Sequence, residues 1–157
     1  MKIDGLLDER CIAVKRSVSS KEEALEEALA LMEKSGKIKD MEAYRRQVYQ
    51  REKEASTGIG EQIAIPHGVC SAVAAPALSV LLIKEGVEFG AADARPVKLI
   101  FLLAVPEAEK DLHLKMLSSI AAMMTKEGAA MEMMNVADEK HLLELIRRMG
   151  GQQDELL

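Results

Sequence analysis

An α/β layered sandwich, with a mixed and mostly apolar β-sheet flanked by helices on both faces, is the fold class this sequence predicts. Two observations carry the prediction. Residues 77–84 and 97–105 are near-continuous apolar runs, which suit strands covered on both faces. The segments on either side repeat apolar residues at helical spacing, as in Leu25, Leu29 and Met32 before the runs and Leu112, Met116 and Ile120 after them. Helices, then strands, then helices again require a layered arrangement. With 157 residues, 48% of them hydrophobic, the chain can bury a real core, and residues 1–157 are expected to form one standalone domain.

Each element has a local reason. Residues 11–14 form a short apolar stretch, followed by Ser19 and Ser20, either of which fits a helix cap with Glu22 or Glu23 three residues on. Gly36 supplies the stop, because it tolerates a left-handed backbone. Asp40 caps a second helix with a stripe of Met41, Tyr44 and Val48, which should fade near Ser56-Thr57-Gly58. The period then changes. Ile63-Ala64-Ile65 is a short strand candidate ending at Pro66; Glu85-Gly86 and residues 90–95 read as turns, with a short strand over residues 87–89. Beyond Pro106 the helical period returns, and Asp138 caps a last helix carrying Leu142, Ile146 and Met149. Six methionines, Met116, Met123, Met124, Met131, Met133 and Met134, fall within twenty residues, and their spacing favours core packing over an adaptable binding surface.

Composition removes several functions. Lys and Arg number 21 against 26 Asp and Glu, a net charge of -5, which argues against a nucleic-acid or anionic-membrane surface. The two cysteines, Cys11 and Cys70, supply neither a disulfide scaffold nor a four-cysteine zinc site. The N-terminus has no uninterrupted apolar segment of secretory type, and residues 99–105 fall far short of the ~20 needed to span a bilayer. A cytoplasmic protein is expected. No phosphate-binding loop, dinucleotide fingerprint or serine-hydrolase elbow occurs.

Three histidines remain. His67 lies between Pro66, which withdraws a backbone donor from any ladder, and Gly68, whose missing Cβ would let another molecule approach the ring. That pattern presents an imidazole at a sheet edge; the same residues also fit a histidine in a loop after a strand. His113 shares a stripe with Leu117, Ile120 and Met124, so it points to the packed side, as a core histidine does too. His141 falls off the apolar face of its helix and reads as solvated. Arg51 continues the stripe of Tyr44 and Val48 and needs an acceptor, either a phosphate matched to its planar fork or a neighbouring carboxylate. Together His67, His113 and Arg51 suggest a phosphohistidine site. Imidazole, with an ordinary pKa of about 6.5, is largely an unprotonated nucleophile near neutral pH. Phosphoryl transfer asks the protein mainly for positioning and charge stabilisation. A metal reading using His67, His113 and Cys70 lacks the usual ligand spacing.

These residues also carry a resemblance. Arg51-Glu52, Ser56-Thr57-Gly58-Ile59-Gly60 and Ile63-Ala64-Ile65-Pro66-His67-Gly68 resemble the signature around the phosphorylated histidine of the fructose/mannitol-type enzyme IIA domain of the bacterial phosphoenolpyruvate:sugar phosphotransferase system. Residues 97–106 resemble its central strand, and His113-Leu114 with Leu117 and Ile120-Ala121 its second-histidine helix. The resemblance covers nearly the whole chain. It implies a mixed sheet flanked by helices, no cofactor and no metal. It further implies that His67 accepts a phosphoryl group on Nε2 from the phosphocarrier HPr and passes it to an enzyme IIB domain for uptake of fructose or a related sugar. His113 would lie beside it, Arg51 would orient or neutralise the group, and Thr57 would support the site. Because the chain ends at Leu157, IIB and the membrane IIC domain are expected on other chains, the membrane being met only through them. The alternative is a nitrogen-type regulatory IIA that grips protein partners according to its phosphorylation state. Residues 85–90 favour the sugar branch.

Overall fold

The computed structural model describes residues 3–156. From the N-terminus, β1 (Leu7–Lys15) leads through α1 (Lys21–Glu33) and α2 (Met41–Glu54) to three short strands, β2 (Gly58–Gly60), β3 (Ile63–Ala64) and β4 (His67–Cys70). The long strands β5 (Ala77–Val87) and β6 (Val97–Pro106) follow, and then α3 (Leu112–Met124), α4 (Ala129–Met134) and α5 (Glu139–Leu156). The six strands form one mixed sheet in the order β1-β5-β6-β3-β2, with β4 also paired to β6. β5 and β6 run antiparallel at its centre, while β1 joins β5, and β3 and β4 join β6, in parallel.

Alternate residues of the central strands face opposite helical layers, as the pleat requires. On β6, Leu99, Phe101, Leu103 and Val105 pack against Met116, Ile120 and Met123 of α3 and Leu142 and Ile146 of α5. Ile100, Leu102 and Ala104 pack on the other side with Leu25, Leu29, Tyr44 and Val48 of α1 and α2. Helices therefore cover both faces, and the apolar runs are continuous because both faces of each strand are buried. Met116, Met123, Met124 and Met133 lie in the core as their spacing implies; Met131 does not, being 67% exposed.

The helix ends follow their side chains. Ser20 accepts from the Glu23 N–H as the N-cap, while Glu23 reaches back one residue further than a capping box would, to the N–H and hydroxyl of Ser19. Asp40 accepts from the Ala43 N–H, and Asp138 from that of His141. Gly36 turns the chain after α1 with φ of 70°.

Several elements depart from the sequence expectation. Glu85-Gly86 is not a turn: β5 runs through it to Val87, the register against β6 shifting between Leu82 and Val87. Gly86, at φ of 75°, absorbs that irregularity, so Val87 pairs with Val97 instead of opening a new strand. β1 begins at Leu7, ahead of the apolar stretch, because its register also shifts before Ile12 and leaves Asp8, Glu9 and Arg10 on the open side. β2, β4 and α4 are too short to show a period.

α2 is pressed onto β4. Tyr44 is fully buried and its hydroxyl donates to the Leu103 carbonyl at 2.7 Å, the residue that pairs with His67. Gly68 makes this fit possible, but not by admitting another molecule, as the sequence had suggested. A Cβ there would stand 2.8 Å from Tyr44 Cε1 and 3.1 Å from Val48 Cγ2, so the space is already taken by this chain's own helix. Gly68→Ala should therefore lower the unfolding free energy by about 1–3 kcal/mol, the usual cost of overpacking. Gly5→Ala, where nothing lies within 4 Å, is the matched control. Urea denaturation checks the pair, and equal midpoints would contradict the packing argument.

Candidate functional site

The site begins at Pro66. β3 pairs with β6 as far as Ala64 opposite Ile100, and β4 resumes on the same strand with His67 opposite Leu103. Pro66 has no N–H to offer between them, yet its carbonyl accepts from the Leu103 N–H at 3.0 Å, so the edge continues past the break. His67 is thus the first residue of a strand and not a loop residue. Its ring turns back on the chain, and Nδ1 lies 3.0 Å from the Ile65 carbonyl oxygen. A carbonyl only accepts, so Nδ1 carries the proton and the lone pair of the neutral ring is left on Nε2.

His113, in the first turn of α3, brings its ring to 4.3 Å from that of His67, centroid to centroid, with the planes tilted by 42°. His113 Nε2 is buried and has no hydrogen-bond partner. A depression of about 280 Å³ opens over both rings, walled on the α2 side by Gln47, Gln50, Arg51 and Glu54. Arg51 is half-buried, and its Nη1 donates to the Ala55 carbonyl at 2.8 Å. Its acceptor is this backbone carbonyl and not the neighbouring carboxylate that the sequence offered. The inward stripe of α2 continues instead to Glu52, which places Arg51 on the flank facing His67.

The structure thus brings His67, His113 and Arg51 to one depression and leaves Thr57 outside it. Thr57 is buried, and its N–H and hydroxyl both donate to Glu52, at 2.8 and 2.7 Å. Glu52 is the residue that site reasoning from the sequence passed over. A carboxylate four residues after Val48, on an otherwise apolar stripe, was the available signal. Cys70 is half-buried at the end of β4; among the described residues, no three His, Cys, Asp or Glu side chains gather as a metal site would need. His141 is exposed, its ring against Asp138.

Burial keeps both imidazoles uncharged. His67 is held below its ordinary pKa first by desolvation; the bond to Ile65 opposes this, Arg51 adds to it, and Glu52 and Glu54 oppose it. His113 is lowered by desolvation, then by His67 and Arg51. A neutral ring with a free Nε2, beside a guanidinium and a second imidazole, suits nucleophilic attack on an electron-poor centre whose product is an anion. The depression over it is open to solvent.

Comparison with known proteins gives the family of the chain. Residues 5–149 match the family described as phosphoenolpyruvate-dependent sugar phosphotransferase system, EIIA 2, and the chain belongs to that family. It is 32% identical over 148 residues to the fructose-specific EIIABC component of Bacillus subtilis, covering 94% of this chain but only 23% of that protein's length. It is 39% identical over 107 residues to a nitrogen regulatory protein of Pseudomonas aeruginosa, covering 68% of this chain and 70% of the relative. Among solved structures, nitrogen regulatory protein IIA-Ntr from Neisseria meningitidis superposes with a TM-score of 0.83 at 31% identity, covering 92% of this chain and 98% of that one. The mannitol enzyme IIA of Escherichia coli, solved in complex with phosphorylated enzyme IIB, gives 0.76 at 26% identity, over 89% and 96% of the two chains. No helix among the described residues is long and apolar enough to cross a membrane.

The two rings should titrate below about 6.5, the ordinary histidine value. Arg51→Gln should move both upward, because Arg51 lowers each. The unfolded chain takes up protons first as pH falls, so these histidines contribute stability that is complete above about 6.5 and lost as pH drops through their folded values. An NMR titration of the ring nitrogens reads this directly, and wild-type midpoints at or above 6.5 would refute the burial argument.

Proposed function

We propose that this chain is a phosphoryl carrier that takes a phosphoryl group on His67 Nε2 from phosphorylated HPr and passes it to an enzyme IIB domain in sugar uptake of the fructose type. One observation carries the reading: the Ile65 carbonyl holds the Nδ1 proton and so directs the His67 lone pair to Nε2, next to a buried His113 Nε2 with nothing to bind. In the transfer, the donor's phosphorus–nitrogen bond breaks as the bond from phosphorus to His67 Nε2 forms. The released donor nitrogen keeps the electron pair. No water and no redox partner is needed, and one nitrogen replaces another, so the step runs in either direction.

The neighbours supply charge stabilisation in this scheme. His113, in the tautomer with a proton on Nε2, donates to a phosphoryl oxygen and so fills its vacant bond. Arg51 gives up part of its hold on the Ala55 carbonyl and turns its remaining donors to the group, a charge-assisted bond that a neutral carbonyl does not match. The work is done in the cytoplasm, with the membrane reached through IIB and IIC. The family membership and the mannitol IIA structure, solved with its phosphorylated IIB, support these partners.

A second reading has its own support. The Neisseria IIA-Ntr superposition and the Pseudomonas identity favour a nitrogen-type regulatory role. There the same modification, adding about -1.5 to -2 charges, would switch which protein is gripped.

Incubation with phosphoenolpyruvate, enzyme I and HPr should produce an acid-labile phosphoprotein, and His67→Ala should abolish the label. A variant that still labels would overturn the assignment. His113→Ala should keep partial labelling yet slow onward transfer by roughly tenfold or more, as loss of positioning does. Reconstitution with fructose-type IIB and IIC separates the branches: sugar phosphorylation supports the first reading, and labelling without onward transfer to any IIB of a panel supports the second.

A further inference from the structure

Glu52 does not touch the depression, yet it begins a chain of hydrogen bonds that ends on the His67 ring. Its side chain is 5% exposed. Oε1 accepts from the Thr57 N–H at 2.8 Å and from Lys21 Nζ at 2.9 Å, and Oε2 accepts from the Thr57 hydroxyl at 2.7 Å. Thr57 is thereby clamped at both its backbone and its side chain. Its carbonyl in turn accepts from the Ile65 N–H at 3.0 Å, and the Ile65 carbonyl is the acceptor for His67 Nδ1. Lys21 itself is fixed, its ammonium lying 4.6 Å above the centre of the Phe89 ring.

We infer that Glu52, acting through Thr57 and Ile65, is a positioning residue that sets the ring orientation and tautomer of His67. The inference rests on the proposed role of His67 as the phosphoryl acceptor. The need for such a device follows from Pro66. A two-residue β3, a proline and a strand restart leave the Ile65 peptide without a ladder partner on β6, because β6 pairs with Ala64 and then with Pro66 and His67. Something on the other side must hold that peptide, and Thr57 is what holds it. Thr57 lies just before β2, whose own pairing with β3 is only two residues long and irregular in register. The Glu52 carboxylate, anchored on the fourteen-residue helix α2, supplies the rigidity that the short strands lack. Arg51 and Glu52 thus serve the same ring from adjacent positions, one in the wall of the depression and one outside it.

The test compares Glu52→Ala, Glu52→Gln and Thr57→Val with wild type by two readouts: ¹⁵N signals of the His67 ring in the unphosphorylated protein, and the rate of labelling by phosphorylated HPr. Wild type should show the unprotonated, pyridine-like signal on Nε2. Glu52→Ala should move part of that signal to Nδ1 and slow labelling by roughly tenfold to a hundredfold, the cost of misplacing a reacting group by about an ångström. Glu52→Gln keeps an acceptor for the Thr57 N–H and sets its amide against the Thr57 hydroxyl oxygen, so it should recover most of both. Thr57→Val, which deletes one bond of the clamp, should shift both readouts in the same direction by less, and it decides the matter if Glu52→Ala does not fold. A wild-type nitrogen pattern in folded Glu52→Ala or Thr57→Val would overturn the inference. So would slowing in Glu52→Gln as deep as in Glu52→Ala with the nitrogen pattern unchanged. If wild type fails to label on His67, the carrier reading falls instead, and the nitrogen signals still decide the role of Glu52.

Discussion

The bond from His67 Nδ1 to the Ile65 carbonyl is the constraint around which the rest of this chain is arranged. It spans only two residues, but it exists because Pro66 interrupts the β6 edge and frees the preceding peptide. A continuous strand would carry His67 with its ring perpendicular to the sheet and no carbonyl in reach of Nδ1. Without that acceptor both tautomers of a neutral imidazole are accessible, and the nucleophilic nitrogen is undefined. The proline therefore fixes a proton by removing one elsewhere, on its own backbone nitrogen.

Burial sets the charge at the same place. An imidazole at a solvated edge would be partly protonated near its ordinary pKa; desolvation and the Arg51 guanidinium keep both His67 and His113 neutral. The same surroundings favour the anion once a phosphoryl group is attached, because the cation that discouraged a proton now has an opposite charge to meet. On the proposed reading, one arrangement prepares the nucleophile and stabilises its product. Arg51 is suited to this because it is half-buried and held by a neutral carbonyl, a weaker partner than an anionic oxygen.

How much of this was legible in the sequence depended on the length of the pattern. The two apolar runs, the capping serine and aspartates and the stop at Gly36 were each local, and the structure follows them. Glu85-Gly86 misled because a glycine at positive φ marks a turn and a bulge equally well, and only pairing across to Val97 separates the two. β4 was hidden by its length and by the proline before it. At the site, His67, His113 and Arg51 could be named from chemistry and spacing, although the contact between α3 and β4 that joins the two rings is a tertiary fact. Glu52 was recognisable only as part of a motif. A carboxylate on a buried stripe is visible in a sequence, but its partners Lys21 and Thr57 come from a different helix and from the loop ahead of β2.

The shape of the depression adds a last constraint on how the group is handled. At about 280 Å³ and open to solvent, it is large enough for a phosphoryl group and does not enclose what it holds. Water must nevertheless be kept from a phosphorylated imidazole during transfer. Among the described residues the depression over His67 stays open, so on the proposed reading the partner's surface supplies the cover. Docking and dehydration of the reacting nitrogen are then a single event, so transfer is fast only between proteins that fit.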